Sequence, residues 1–254
     1  MKVVRTIAEL ETESGTGLVP TMGALHDGHV ALLRTARQEN GRVVMSLFVN
    51  PAQFDEQTDL EAYPRDERRD LEIAAAAGVD VVFAPSAEEL YPPSFATWVD
   101  PGETGAEGAA RPGHFRGVAT VCLKLFTLVR PERAYFGQKD AQQLAVIRQV
   151  VRDLNVPVEI RAVPTVRDPD GLALSSRNQR LSADERTRAL GLPRALASAA
   201  SEPDPVAAAR ASLNGLEPEY VEVLDLGDAK VLAAAVRVGS TRLIDNVLLE
   251  GDLT

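Results

Sequence analysis

Cysteine is nearly absent from this 254-residue chain: Cys122 is the single one, so no intrachain disulfide can form. Such usage fits a reducing, cytoplasmic compartment. Cys122 itself reads as a small buried residue in a helix over 118–129. Long hydrophobic runs are absent too. None reaches the roughly 18 residues needed to span a bilayer. Met1-Lys2-Val3-Val4-Arg5 is not followed by the apolar stretch and cleavage site of a signal peptide. Positive charge is in deficit: Lys and Arg number 27 against 37 Asp and Glu, a formal net charge of −10. That argues against nucleic acid as the main partner, since such binding rests on neutralising phosphates with Lys and Arg. It leaves room for a small phosphorylated ligand, which needs only a local cluster of cations. Two nucleotide-binding signatures are missing as well. Gly15-x-Gly17 would need a third glycine where Pro20 stands, and no Gly-Lys-Ser/Thr phosphate loop occurs. Beyond alanine-rich helices there is no repeat or low-complexity segment.

What is present is ordinary for a globular protein, with 45% hydrophobic and 25% charged residues. The length suffices for one large domain or two modest ones. Strand and helix patterns alternate through the first part. Gly17-Leu18-Val19 reads as a short strand ending at Pro20. The helix after it, 28–39, places Val30, Leu33 and Arg37 on one face and stops at a C-cap, Asn40-Gly41. Residues 42–49 form a near-continuous apolar strand, the kind buried on both faces of a parallel sheet. A helix over 66–77 closes at Gly78, and a strand follows over 79–84. Ser86-Ala87-Glu88-Glu89 has a capping-box pattern. Residues 101–113 read as a mobile loop, followed by a helix from Gly117 and a strand at 134–136. Asp140 opens a helix with Leu144, Ile147, Val151 and Leu154 on one face, and 158–163 is another strand. Such β-α-β repetition predicts an α/β fold, a parallel sheet with helices on both faces and ligands outside the carboxyl ends of its strands. The tail differs. Ser182-x-x-Glu185 caps a helix to about Ala200, Asp204-Pro205 opens another, and strands at 220–226, 231–238 and 241–249 follow, joined by turns such as Gly239-Ser240. This predicts a smaller α+β C-terminal domain over 168–254 after a first domain over 1–167.

Polar motifs fall just after the predicted strands or in loops. His26-Asp27-Gly28-His29 sets two imidazoles at a helix start, where free N–H groups and the helix dipole favour a phosphate. Its plain alternative is a surface pair at an N-cap. A zinc site is the weaker rival, because only His114 and Cys122 remain as further soft ligands. Gln53, after the apolar strand, can hydrogen-bond a small polar substrate or be a solvated loop residue. Arg111-Pro112-Gly113-His114-Phe115-Arg116-Gly117 reads either as a mobile anion clamp or as a charged loop. In Phe136-Gly137-Gln138-Lys139-Asp140, Lys139 offers a point charge, and Asp140 suits Mg²⁺ or a helix cap. One of Gln142 and Gln143 should face the pocket. Leu174-Ser175-Ser176-Arg177-Asn178 is a donor set for outer phosphates, or a turn with a cap.

Taken in order, these segments resemble the pantoate–β-alanine ligase family. The matching stretches are PTMGALHDGH (20–29), FVNPAQF (48–54), RPGHFRGVATV (111–121), FGQKDAQQ (136–143) and PTVRDPDGLALSSRN (164–178), with TRLIDN (241–246) similar to the family's closing strand. The resemblance implies a Rossmann-like nucleotide-binding domain with a small C-terminal domain closing over ATP. It also implies adenylation of pantoate by ATP, then attack by β-alanine to give pantothenate and AMP. By motif position, Met22, Gly23, Ala24, Leu25, His26, Asp27, Gly28 and His29 would line the ATP site. His26 and His29 would stabilise the α-phosphate, with His29 the usual proton donor. Gly137, Gln138, Lys139 and Asp140 would contact ATP, Lys139 on the phosphates and Asp140 towards Mg²⁺. Val166 would meet adenine, and Leu174, Ser175, Ser176 and Arg177 the β- and γ-phosphates. Gln53 and Gln143 would hold pantoate, Gln53 also lying near β-alanine, with Arg111 assisting. The family implies a homodimer and use of Mg²⁺, while the charge balance and the lack of long apolar runs predict no nucleic-acid or membrane partner. The chain departs from it in a shorter C-terminal domain with a compact 199–219 connection. A related nucleotidyltransferase that keeps the nucleotide in its product, and a nucleotide-binding regulator without turnover, are the rival readings.

Overall fold

The computed structural model describes residues 1–55, 57–102 and 104–253; position 103 of the predicted loop and the last residue of the second predicted domain lie outside them. The elements in chain order are β1 (Lys2–Val4), β2 (Thr16–Thr21), α1 (Asp27–Glu39), β3 (Arg42–Leu47), α2 (Gln57–Ala62), α3 (Glu67–Ala76), β4 (Val81–Phe83), α4 (Ala87–Leu90), α5 (Ala106–Ala110), α6 (His114–Val129), β5 (Arg133–Gly137), α7 (Ala141–Asp153) and β6 (Glu159–Val163). There follow α8 (Ala183–Ala189), α9 (Gly191–Ala199), α10 (Pro205–Ser212), β7 (Glu217–Asp225), β8 (Ala229–Val238) and β9 (Thr241–Gly251). The first six strands form one parallel sheet in the order β1-β4-β3-β2-β5-β6. The last three form an antiparallel sheet, β7-β8-β9.

The period-two alternation of strand side chains builds two apolar layers. Leu18, Val44, Phe83, Ala134 and Phe136 face a core with Val118, Val121, Leu125 and Phe126 of α6 and Leu144 and Ile147 of α7. Their neighbours Val19, Val43, Met45, Val82 and Tyr135 point the other way, onto Leu32, Leu33 and Ala36 of α1 and Ala74 of α3. The antiparallel sheet divides in the same manner. Tyr220, Val231, Ala233 and Ala235 join the α6/α7 core, while Val221, Leu232, Ala234 and Val236 pack on α9 and α10. One apolar layer thus runs from the parallel sheet into the C-terminal sheet. Among the described residues no helix is long and apolar enough to cross a membrane.

Several local expectations are corrected. The strand at 17–19 continues through Pro20 to Thr21. Its pairing with β5 covers only Gly17 and Leu18, so a residue lacking N–H is tolerated beyond them. The buried face of α1 is Leu32, Leu33 and Ala36 rather than Val30, Leu33 and Arg37. Asn40 ends α1 in extended backbone (φ −135°), its Nδ2 donating to the Ala36 carbonyl instead of adopting a left-handed cap. On α7 it is Val150 that completes the face, and Leu154 is exposed. The helix expected from Ser182 to Ala200 is two. Its capping box forms as predicted, but Pro193 cannot donate to the Ala189 carbonyl and clashes with that turn, so α8 and α9 separate at Leu190. Within the predicted loop 101–113 lies α5, which buries Ala106 and Glu107.

Candidate active site

The carboxyl ends of β2, β3 and β5 open into a crevice of about 740 Å³, whose far wall is the 164–180 segment and part of the C-terminal sheet. This volume is in the range of small-molecule sites. The turn after β2 enters it under an unusual constraint. Gly23 and Ala24 both take positive φ, 83° and 51°. Asp70 of α3, buried, accepts the Ala24 N–H at 2.9 Å and the Leu25 N–H at 2.8 Å, which satisfies the turn and fixes where α1 begins.

At that start the two histidines cap the helix together. His26 Nδ1 accepts the Gly28 N–H at 3.2 Å, and His29 Nδ1 accepts the His26 N–H at 3.3 Å. The rings lie 4.1 Å apart. An accepting Nδ1 in a neutral ring assigns the proton to Nε2, so both imidazoles offer an Nε2–H. Both are neutral near pH 7. Burial, then nearby Lys139, lowers His26 to about 4 against the partial counter-pull of Asp140 and Asp27. Burial, then His26 and Lys139, lowers His29 to about 3. Gly28 is required between them, because a Cβ there would lie 2.9 Å from the His26 ring.

The remaining motifs converge on the same crevice. Met22, His26, Gly28 and His29 line it, with Gln53, Arg111, Gly137, Lys139, Asp140, Gln143, Val166 and Leu174 to Arg177. The structure places Gly23, Ala24, Leu25, Asp27 and Gln138 behind this wall; Leu25 is buried in the α1 core. Asp140 does not cap α7 with its side chain; among the described residues its carboxylate pairs with Lys139 Nζ at 3.4 Å. Gln142 is spent on the 104–107 segment, accepting from Glu107 N and donating to Gly105 O, while Gln143 has no hydrogen-bonding partner among the described residues. Gln143 is therefore the one free to meet a ligand.

Arg111 is held rather than mobile, contrary to the clamp reading. Its Nη2 donates to the Gln53 carbonyl at 2.9 Å, and Nη1 reaches Glu107 at 3.4 Å. His114 donates to the same carbonyl from Nδ1 at 2.9 Å. Arg116 points elsewhere, its guanidinium 4.6 Å from the Trp98 ring centroid. Ser175 caps the 3₁₀ turn over 176–180 by accepting the Arg177 N–H, and Arg177 Nη2 lies 3.1 Å from Asp59 Oδ2 on α2. Sequence reasoning missed Asp70, Asp59 and Glu107, whose partners lie far along the chain. It also left TRLIDN without a task. Asp245 accepts both Nη groups of Arg167 at 2.6 and 3.0 Å, and Asn246 Nδ2 donates to the carbonyls of Gln138 and Lys139. The closing strand thereby holds the backbone that carries Lys139.

A family model described as pantoate-beta-alanine ligase matches residues 1–248. The chain is 52% identical over 277 aligned residues to a pantothenate synthetase from Roseiflexus sp. (strain RS-1), covering 98% of this chain and 100% of that protein. Among solved structures, pantothenate synthetase from Thermus thermophilus has a TM-score of 0.92 at 45% identity, covering 98% of this chain and 99% of that one. Pantoate-beta-alanine ligase from Francisella tularensis, complexed with beta-gamma ATP and beta-alanine, has a TM-score of 0.87 at 34% identity, with 100% of both chains covered. With the ordered motifs gathered on one crevice and these likenesses spanning nearly the whole length, the chain belongs to the pantoate-beta-alanine ligase family.

Proposed function

We propose that this enzyme condenses (R)-pantoate with β-alanine at the expense of ATP, through pantoyl adenylate, releasing pyrophosphate and AMP. The observation that carries this reading is the pair of Nε2–H donors of His26 and His29 beside Lys139, in a crevice that also holds a free Gln143. No protein nucleophile is needed, because the carboxylate of pantoate attacks the α-phosphorus. What the site must do is align the reactants and meet the charge that builds on the α-phosphate oxygens. The two Nε2–H groups and the α1 N-terminus are donors suited to that charge, and Lys139 adds a cation. Because burial disfavours a second proton on its ring, His29 acts as a neutral hydrogen-bond donor rather than as an imidazolium acid. β-Alanine's amine then attacks the acyl carbon, and AMP leaves. Gln143 and Gln53 are assigned to pantoate, with Gln53 also near β-alanine. Val166 is assigned to adenine, and Leu174, Ser175, Ser176 and Arg177 to the outer phosphates.

Mg²⁺ fits this arrangement as an ion carried mainly by the triphosphate. Among the described residues no cluster of three acidic, histidine or cysteine ligands exists, while Asp140 is a half-exposed carboxylate next to Lys139. Mg²⁺ is commonly bound by one or two carboxylates plus substrate phosphates, and when bound it eases departure of pyrophosphate. Asp140 is the residue that would hold it. We further assign the domain division to 167/168, the second domain acting as a lid that shields the adenylate from water. A homodimer and a cytoplasmic location complete the reading.

The deciding assay is AMP and pantothenate formation from ATP, Mg²⁺, D-pantoate and β-alanine, omitting one component at a time. Both products are expected only in the complete mixture, together with pantoate-dependent exchange of labelled pyrophosphate into ATP. A product that retains the nucleotide would move the protein to a nucleotidyltransferase role. ATP binding without AMP release would make it a non-catalytic sensor. Within the site, Gln143→Ala is expected to raise the KM for pantoate far more than that for ATP; equal effects would undo the assignment.

A further inference from the structure

One buried acid in this molecule has no part in the chemistry above. Glu107 of α5 is 6% exposed, and its carboxylate is met from three directions. Arg242 of β9 donates Nη1 at 2.9 Å and Nη2 at 2.7 Å; the Tyr220 hydroxyl of β7 donates at 3.1 Å; Arg111 Nη1 reaches it at 3.4 Å. Arg242 is itself backed by Glu219, Nε to Oε2 at 2.7 Å. The chain of contacts then continues into the crevice. Arg111 Nη2 and His114 Nδ1 both donate to the Gln53 carbonyl at 2.9 Å, and Arg111 Nη1 approaches His114 Nε2 at 3.4 Å.

We propose that Arg242 and Glu107 are positioning residues which, through Arg111, fix the Gln53 backbone, so that the C-terminal sheet completes the acid-and-amine end of the crevice. This rests on the assignment of Gln53 to pantoate and β-alanine. The Glu107 carboxylate and the Gln53 carbonyl compete for the single Arg111 guanidinium. With Arg242 present, Glu107 is already satisfied and Arg111 can divide itself between Glu107 and the Gln53 carbonyl. Without Arg242, a buried carboxylate is left with Arg111 as its one cation, and the cost of an unpaired buried charge draws Arg111 onto it. Without the Glu107 charge, Arg111 is left to the half-exposed Asp55, now 3.8 Å from its Nε. Either change takes a charged donor from the Gln53 carbonyl, although neither altered residue belongs to the ATP end.

The test is steady-state kinetics with each substrate varied in turn, on Arg242→Gln, Glu107→Gln, the Glu107→Gln/Arg242→Gln double variant, and Gln53→Ala as reference. Arg237→Gln is the control: Arg237 pairs with Glu219 at 2.7 Å, as Arg242 does, but is not among the partners of Glu107. The expected result is a rise of about tenfold in KM for pantoate and for β-alanine, as for loss of one such hydrogen bond. KM for ATP should stay within about twofold, as tenfold is the scale set by that lost bond. The double variant removes the unpaired charge, so it should regain thermal stability without regaining KM. The protein has 3 histidines, so ¹⁵N spectra offer a second readout: His114 should lose its fixed Nδ1–H tautomer in Arg242→Gln. Unchanged pantoate and β-alanine constants in the folded variants, with Gln53→Ala raising them, would overturn the proposal alone. Unchanged constants in Gln53→Ala as well would instead remove the Gln53 assignment. A parallel loss of stability and of all three constants would show a merely structural ion pair and would also overturn it.

Discussion

At the scale of single residues the histidines divide into two kinds. His26 and His29 accept backbone N–H at Nδ1 and present Nε2–H, whereas His114 donates from Nδ1 to the Gln53 carbonyl. His29→Ala should therefore lower kcat/KM on the order of 10²-fold or more, as for loss of one transition-state donor. Near-normal steady-state kinetics in the folded variant would take His29 out of the chemistry. The same residues set a pH dependence of stability. Burial lowers His26 and His114 to about 4 and His29 to about 3, against an ordinary value of 6.5. Between those limits the unfolded chain takes up protons that the folded one refuses, so stability falls as the pH drops from about 6.5 towards 4 and is unaffected by these groups above 7. Melting temperature followed against pH should show that slope, and His114→Gln should flatten it; an unaltered slope would mean that His114 is not buried in its neutral form. The position of the two α1 histidines was legible in H-x-G-H, because a helix start is written locally in its cap. Their neutrality was not, since desolvation comes from walls built by residues as distant as Leu174.

At the scale of elements, the contact between α6 and the turn over Pro51–Gln53 turns on Gly117. A Cβ there would lie 2.1 Å from the Ala52 carbonyl oxygen, and Asn50 Nδ2 donates to the Gly117 carbonyl at 3.1 Å. Backbone offers no rotamer to relieve that overlap. Gly117→Ala should cost about 1–3 kcal/mol, as overpacking does, measured as a shift in denaturant midpoint, and should raise the KM for pantoate by moving Gln53. A stable variant with native kinetics would mean that α6 can slide. The parallel sheet itself, and the capping box at Ser182, followed from alternation and capping patterns in the sequence, whereas the strand order did not. Helix α5 did not. Four of its five residues are alanine or glycine and its N-cap glycine has a φ of 60°, so nothing local announces a helix; it is held by Glu107 and by Gln142, each bonded across long stretches of chain. For the same reason Arg111 read as mobile.

At the scale of the whole molecule, the two sheets share an apolar core and are joined over the crevice by ion pairs. Asp59 of α2 holds Arg177 at 3.1 Å and Arg180 at 3.4 Å, so under the proposed assignment of Arg177 to the outer phosphates a triphosphate would compete with this carboxylate for the guanidinium. Asp59→Asn should therefore tighten ATP binding by roughly two- to fivefold, the scale of a half-exposed ion pair, as read by calorimetry. Weaker binding would show that Asp59 orients Arg177 instead. The turn from a parallel to an antiparallel architecture was legible from the change of pattern after residue 170; the core that the two sheets share was not, because one face of β8 reads the same whichever layer it meets. The strand order has a kinetic consequence. Val4 of β1 pairs with Phe83 of β4, across two intervening β-α units, whereas β7, β8 and β9 meet only their neighbours in sequence. Local pairings form early and distant ones wait on chain closure. During synthesis β1 leaves the ribosome before β4 and has no partner in its sheet until β4 has emerged, whereas β7, β8 and β9 can zip as a meander. β1 thus stays an unpaired strand throughout the making of the residues up to β4, an interval in which a nascent chain must keep that edge from other chains.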